Sequence, residues 1–95
     1  SALRGKMVVI EFTAYRCSPC REFEPKLEGF ARTLPKVVFL AVSTGPDDEL
    51  SRLAALRPKD ARTILLQDPY DKERSKMGVW KFGNVGTPTI FLITP

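Results

Sequence analysis

The sequence predicts a single small α/β domain, an open sheet layered with helices. Three observations carry this reading. Apolar, β-branched runs alternate with segments whose apolar residues recur at helical spacing, in the order β-α-β-α-β-α-β. The strand-like runs are apolar on both faces, as buried parallel strands require. The length, 95 residues with 43% hydrophobic and 27% charged, suits one ordinary globular domain spanning residues 1–95.

The first strand is expected at residues 7–13, where Val8, Val9 and Ile10 are β-branched. A helix follows at residues 18–34, with Phe23, Leu27, Phe30, Ala31 and Leu34 on one stripe. Pro19 falls in its first turn, where a missing N–H costs nothing, while Pro25 lies inside it and should bend it. Residues 37–43 read as a second buried strand. Thr44-Gly45-Pro46 turns the chain, and Asp47 or Asp48 can cap a helix through Leu50, Leu53, Ala54 and Leu56. Residues 57–60 break that helix, and residues 63–66 form a short third strand. Asp68 can cap a helix over residues 70–77 that Gly78 ends. Residues 83–86 loop into Thr87-Pro88, and residues 89–94 form the last strand. A sheet of this kind is expected to continue into a further edge strand and a covering helix.

No apolar run approaches the roughly 18 residues that span a bilayer. No signal peptide is visible either; the sequence starts at Ser1 without Met, so this does not bear on a precursor. The net charge of +4 is modest. The densest basic patch, Arg52, Arg57, Lys59 and Arg62, is interrupted by Leu53, Ala54, Ala55 and Asp60, which suits a solvated face rather than a nucleic-acid surface.

The only cysteines, Cys17 and Cys20, stand in Arg16-Cys17-Ser18-Pro19-Cys20-Arg21, between the first strand and the first helix. A thiol at the first turn of a helix meets unpaired N–H groups and the positive end of the dipole, and both favour thiolate. A second thiol one turn on can attack a mixed disulfide formed by the first. With no histidine, the chain supplies two of the about four ligands of a structural zinc site and no partner for a Cys–His dyad. Redox chemistry without a metal is the expectation, set against a static disulfide, two idle thiols or a zinc site shared across a dimer.

Several of these features together resemble the thioredoxin-like superfamily, in particular its TlpA/ResA-like thiol–disulfide oxidoreductases. They are Phe12-Thr13-Ala14-Tyr15-Arg16-Cys17-Ser18-Pro19-Cys20 after a strand, Pro25 five residues later, and Val85-Gly86-Thr87-Pro88-Thr89-Ile90-Phe91. Leu3-Arg4-Gly5-Lys6 and Leu66-Gln67-Asp68-Pro69 look like the same subfamily. The resemblance covers nearly the whole chain and implies a thioredoxin-like sheet sandwiched by helices, truncated after the strand that follows a cis-proline. It implies that Pro88 is that cis-proline and that the Thr87 backbone pairs with an extended substrate segment beside Cys17. Cys17 is then the attacking thiol and Cys20 the buried resolving one. Glu11, six residues before Cys17, matches the buried acidic residue that would take the Cys20 proton; the plainer reading is a strand carboxylate facing solvent or a lysine.

Arg16 is the main departure, because the family usually has tryptophan there. A guanidinium could stabilise the Cys17 thiolate and attract acidic partners, or simply be solvated. Pro19 before Cys20 is shared with reducing thioredoxins and leans the reading towards reductase. Tyr15 and Trp80 read as aromatics near the site or as packing. The implied partners are protein disulfides and a separate electron-donor protein, with no nucleic acid and no cofactor, since no flavin or nicotinamide motif is present. The resemblance also implies work outside the cytoplasm, periplasmic or secreted, often behind a membrane anchor beyond these residues. Two other readings are a non-catalytic binding module with a structural disulfide and a peroxidase. For the latter Thr13 stands one residue too far from Cys17, and Cys20 argues against it.

Overall fold

The computed structural model describes residues 5–45, 49–68 and 89–94. They form β1 (Val8–Thr13), α1 (Ser18–Thr33), β2 (Val38–Ser43), α2 (Leu50–Ala55), β3 (Ile64–Gln67) and β4 (Thr89–Ile93). The four strands make one sheet in the order β3-β2-β1-β4. β1 runs parallel to β2 and β2 parallel to β3, whereas β4 pairs antiparallel to β1. The central strand therefore carries the cysteine motif at its C-terminal end.

Side chains alternate across a strand, so β1 splits its residues between two cores. Val8, Ile10 and Phe12 join Leu40 and Val42 on one face, with Val38 and Phe91 against them. The Phe12 and Phe91 rings meet edge-on at 5.9 Å. On the other face Leu27 and Ala31 of α1 cover Phe39, with Val9, Phe23 and Val37 around them. The parallel connections β1-α1-β2 and β2-α2-β3 step across the sheet in one direction. Right-handed crossovers then place both helices on the same face. Glu11, Ala41 and Leu65 form one row across that face.

The predicted elements that fall on described residues appear with small shifts, several of which hydrogen bonds explain. Leu34 ends α1 with its N–H on the Phe30 carbonyl at 3.0 Å. The Val37 N–H turns back to the Leu34 carbonyl, also at 3.0 Å, so β2 starts one residue later, where Val38 donates to the Met7 carbonyl. Thr63 stays out of β3 because its N–H and hydroxyl both go to the Glu28 carboxylate, at 3.3 and 3.0 Å. Glu49 takes the N-cap position of α2 without a side-chain cap bond. The caps expected at Asp47 or Asp48, the helix at residues 70–77 with Gly78, Trp80 and the Thr87-Pro88 bond lie outside the described residues.

Candidate functional site

The site starts where β1 runs into α1. The Cys17 N–H donates to the Ala14 carbonyl at 3.2 Å, and the Cys17 carbonyl accepts from Arg21 at 3.2 Å, opening the helix. Cys17 is the N-cap residue, with extended φ/ψ of −94° and 102°, and its sulfur accepts the Cys20 N–H at 3.2 Å. An N-cap acceptor satisfies one of the orphan donors of a helix start. Here that acceptor is the sulfur itself. Cys17 is half-buried, Cys20 is fully buried, and the two are joined as a disulfide with Cα atoms 5.2 Å apart.

Glu11 lies on the face of β1 that α1 covers and is 0% exposed. Neither carboxylate oxygen has a hydrogen-bond partner among the described residues. Burial pushes the Glu11 carboxyl up to about 8; the Glu24 carboxylate adds to the rise and the Arg21 guanidinium opposes it. Beside it, Thr13 donates its hydroxyl to Glu24 Oε2 at 2.7 Å and accepts from Arg21 Nη2 at 2.9 Å. Arg21 Nη2 also meets Glu24 Oε2 at 2.6 Å, and Arg21 Nη1 holds the Tyr15 carbonyl at 3.1 Å. These side chains line one end of a cavity of about 550 Å³ between the sheet, α1 and α2, whose apolar wall includes Pro25, Leu27, Leu53 and Leu65.

Next to Cys17 in the chain, Arg16 points into solvent and pairs loosely with Glu49 at 3.8 Å. Arg52 of α2 lies over the Tyr15 ring, 5.8 Å from its centroid. The sequence singled out Cys17, Cys20, Glu11 and Arg16, and all four stand at or under the start of α1. Thr87 and Pro88 fall outside the described residues. The Arg21–Thr13–Glu24 cluster was not anticipated. Its signal was present: Thr13 follows Glu11 by two, hence on the same strand face, and Arg21 and Glu24 are one helical turn apart. Among the described residues no group of three or more His, Cys, Asp or Glu side chains could hold a metal ion.

With strand, capping cysteine, buried partner and a proline inside α1 in place, comparison with known proteins agrees. A family model described as thioredoxin-like matches residues 5–95, and the chain belongs to that family. It is 44% identical over 50 residues to thioredoxin H-type 1 of Nicotiana tabacum, covering 53% of this chain and 37% of that protein. It is 33% identical over 72 residues to a thioredoxin H-type of Fagopyrum esculentum, covering 74% of this chain and 60% of the relative. Among solved structures, a secreted Mycobacterium tuberculosis disulfide oxidoreductase homologous to E. coli DsbE superposes with a TM-score of 0.75 at 21% identity, over 98% of this chain and 65% of that one. A thiol:disulfide interchange protein from Bacteroides sp. gives 0.72 at 26% identity, over 98% and 60%. StoA from Bacillus subtilis gives 0.67 at 16%, over 95% and 66%. The chain thus spans less than two thirds of each of these relatives.

Proposed function

We propose that this domain is a thiol–disulfide oxidoreductase that cycles Cys17 and Cys20 between dithiol and disulfide on protein substrates. The observation that carries the reading is the Cys20 N–H aimed at the Cys17 sulfur at the start of α1. A donor placed there favours the thiolate over the thiol. In the reducing direction the Cys17 thiolate attacks a substrate disulfide, forming a mixed disulfide and expelling one substrate thiolate. Cys20 then attacks the Cys17 sulfur. The Cys17–Cys20 bond forms, the mixed bond breaks, and the second substrate sulfur leaves with the electron pair. The Cys20 proton goes to Glu11, which suits a carboxyl with both oxygens unbonded among the described residues and a proton affinity near neutrality. A separate donor protein returns two electrons to the disulfide.

Pro19 supports the reductase direction, and Arg16 stands where an acidic flank of a substrate would meet it. Thr87 and Pro88 complete the substrate side in this reading. The secreted disulfide oxidoreductase among the structural relatives supports an extracytoplasmic setting. Insulin reduction with dithiothreitol as donor tests the proposal. Wild type should accelerate precipitation, Cys17→Ala should abolish the acceleration, and Cys20→Ala should accumulate a mixed disulfide through Cys17. An inert wild type whose disulfide resists dithiothreitol would instead mark a binding module with a structural bridge.

A further inference from the structure

A buried base is useful only if something fixes the pH at which it is free to take a proton. The groups facing Glu11 can be enumerated among the described residues. Its neighbours in the sheet, Ala41 on β2 and Ile90 on β4, bring no charge. The charged side chains sharing its cavity are Arg21, Glu24, Glu28 and Arg32 of α1, and Arg57 just past α2. The last three are engaged at the far rim. Glu28 accepts from Arg62 and Thr63, Arg32 pairs with Asp60 at 3.0 Å, and Arg57 donates to Thr63. Arg21 and Glu24 are different. Both are bonded to the Thr13 hydroxyl, next along the same strand face as Glu11, and both are about three-quarters buried, at 24% and 26% side-chain exposure. Charges so placed are weakly screened.

We propose that Arg21 and Glu24, hinged on Thr13, are positioning residues that act in opposite directions to set the pH at which Glu11 accepts the Cys20 proton. The inference rests on the Glu11 role given above. Glu24 brings a negative charge that holds the proton on Glu11, and Arg21 brings a positive charge that releases it. Their mutual ion pair keeps the two at a fixed distance from each other and, through Thr13, from β1.

The test isolates the resolving step. The reduced full chain is mixed in stopped flow with dithiobis(nitrobenzoate), whose reduction releases two coloured thiolates. The first leaves when Cys17 attacks, at a rate proportional to reagent. The second leaves, independently of reagent, when Cys20 attacks the Cys17–aryl disulfide, forms the Cys17–Cys20 bond and gives its proton to Glu11. Wild type should show an inflection of this second rate near pH 8. Glu24→Gln should lower the midpoint by about one unit and Arg21→Met should raise it by about one unit, while Arg21→Lys stays close to wild type.

If Glu11→Gln keeps the inflection, the base reading of Glu11 fails. If Glu11→Gln loses it but Glu24→Gln and Arg21→Met leave the midpoint in place, or move it the same way, the pairing proposed here is overturned and Glu11 stands alone. Carbon-13 titration of the Glu11 carboxyl in the oxidised protein, where neither cysteine titrates, gives a second readout of the same opposed shifts. Equal titration in all three proteins also overturns the proposal.

Discussion

At the scale of one residue, Glu11 links the chemistry to stability. Its carboxyl holds a proton up to about pH 8 when folded, against an ordinary 4.5. Unfolding between those values releases a proton. The folded state therefore has its full advantage below about 4.5 and loses it as the pH rises through about 8, at about 1.4 kcal/mol per unit. Glu11→Gln removes this dependence. Urea denaturation from pH 5.5 to 8.5 should cost wild type roughly 3 kcal/mol more than Glu11→Gln. Parallel curves for the two proteins would show that Glu11 is ionised throughout. Cys20 makes the contrast at the same scale: it is as deeply buried, yet its backbone N–H is what addresses Cys17.

At the scale of elements, α1 does two jobs with adjoining strips of one helix, and Leu27 belongs to both. Leu27 and Ala31 close the core over Phe39, while Arg21, Glu24 and Glu28 line the cavity. Leu27→Ala should lose about 2–5 kcal/mol in a denaturant titration, because a buried leucine leaves a cavity the helix cannot fully close. Arg32→Ala should leave the same titration close to wild type, since its bond to Asp60 is in solvent. A small loss at Leu27 would mean that α1 is not packed on Phe39. Most of this was legible in the sequence. Periodicity found α1 to within one residue, and β-branched runs found β1 and β2. What escaped were the joints: the turned-back N–H of Val37 and the capture of Thr63 by Glu28, 35 residues away. Local pattern carries no information on such distant acceptors. The same reason hid the Arg21–Thr13–Glu24 cluster, whereas a buried Glu11 was implied by the family resemblance and not by the local pattern, which allowed a solvent-facing carboxylate equally well.

At the scale of the molecule, the sheet is unevenly covered. α1 and α2 share one face, and among the described residues β4 is an edge strand whose Ile90 and Leu92 are 43% and 60% exposed. The register puts these two on the α1 side, opposite Glu11 and Val9. Phe30, 56% exposed, lies on the flank of α1 turned away from the cavity-lining Glu28 and Arg32. An apolar set of this kind beside a strand edge favours self-association. Sedimentation of the 95-residue chain should show concentration-dependent dimers, and Leu92→Lys should weaken them about tenfold, the effect of one leucine left in water. Unchanged dimers in that variant would place the contact elsewhere.

The sulfur cap of α1 makes the helix a listener to its own reaction. A thiolate is a strong acceptor for the Cys20 amide, and a disulfide sulfur is a poor one. The bond is already in place at 3.2 Å in the disulfide, so reduction strengthens a contact at the start of α1 rather than creating one. Amide exchange at Cys20 should be slow in the reduced protein and faster in the oxidised one.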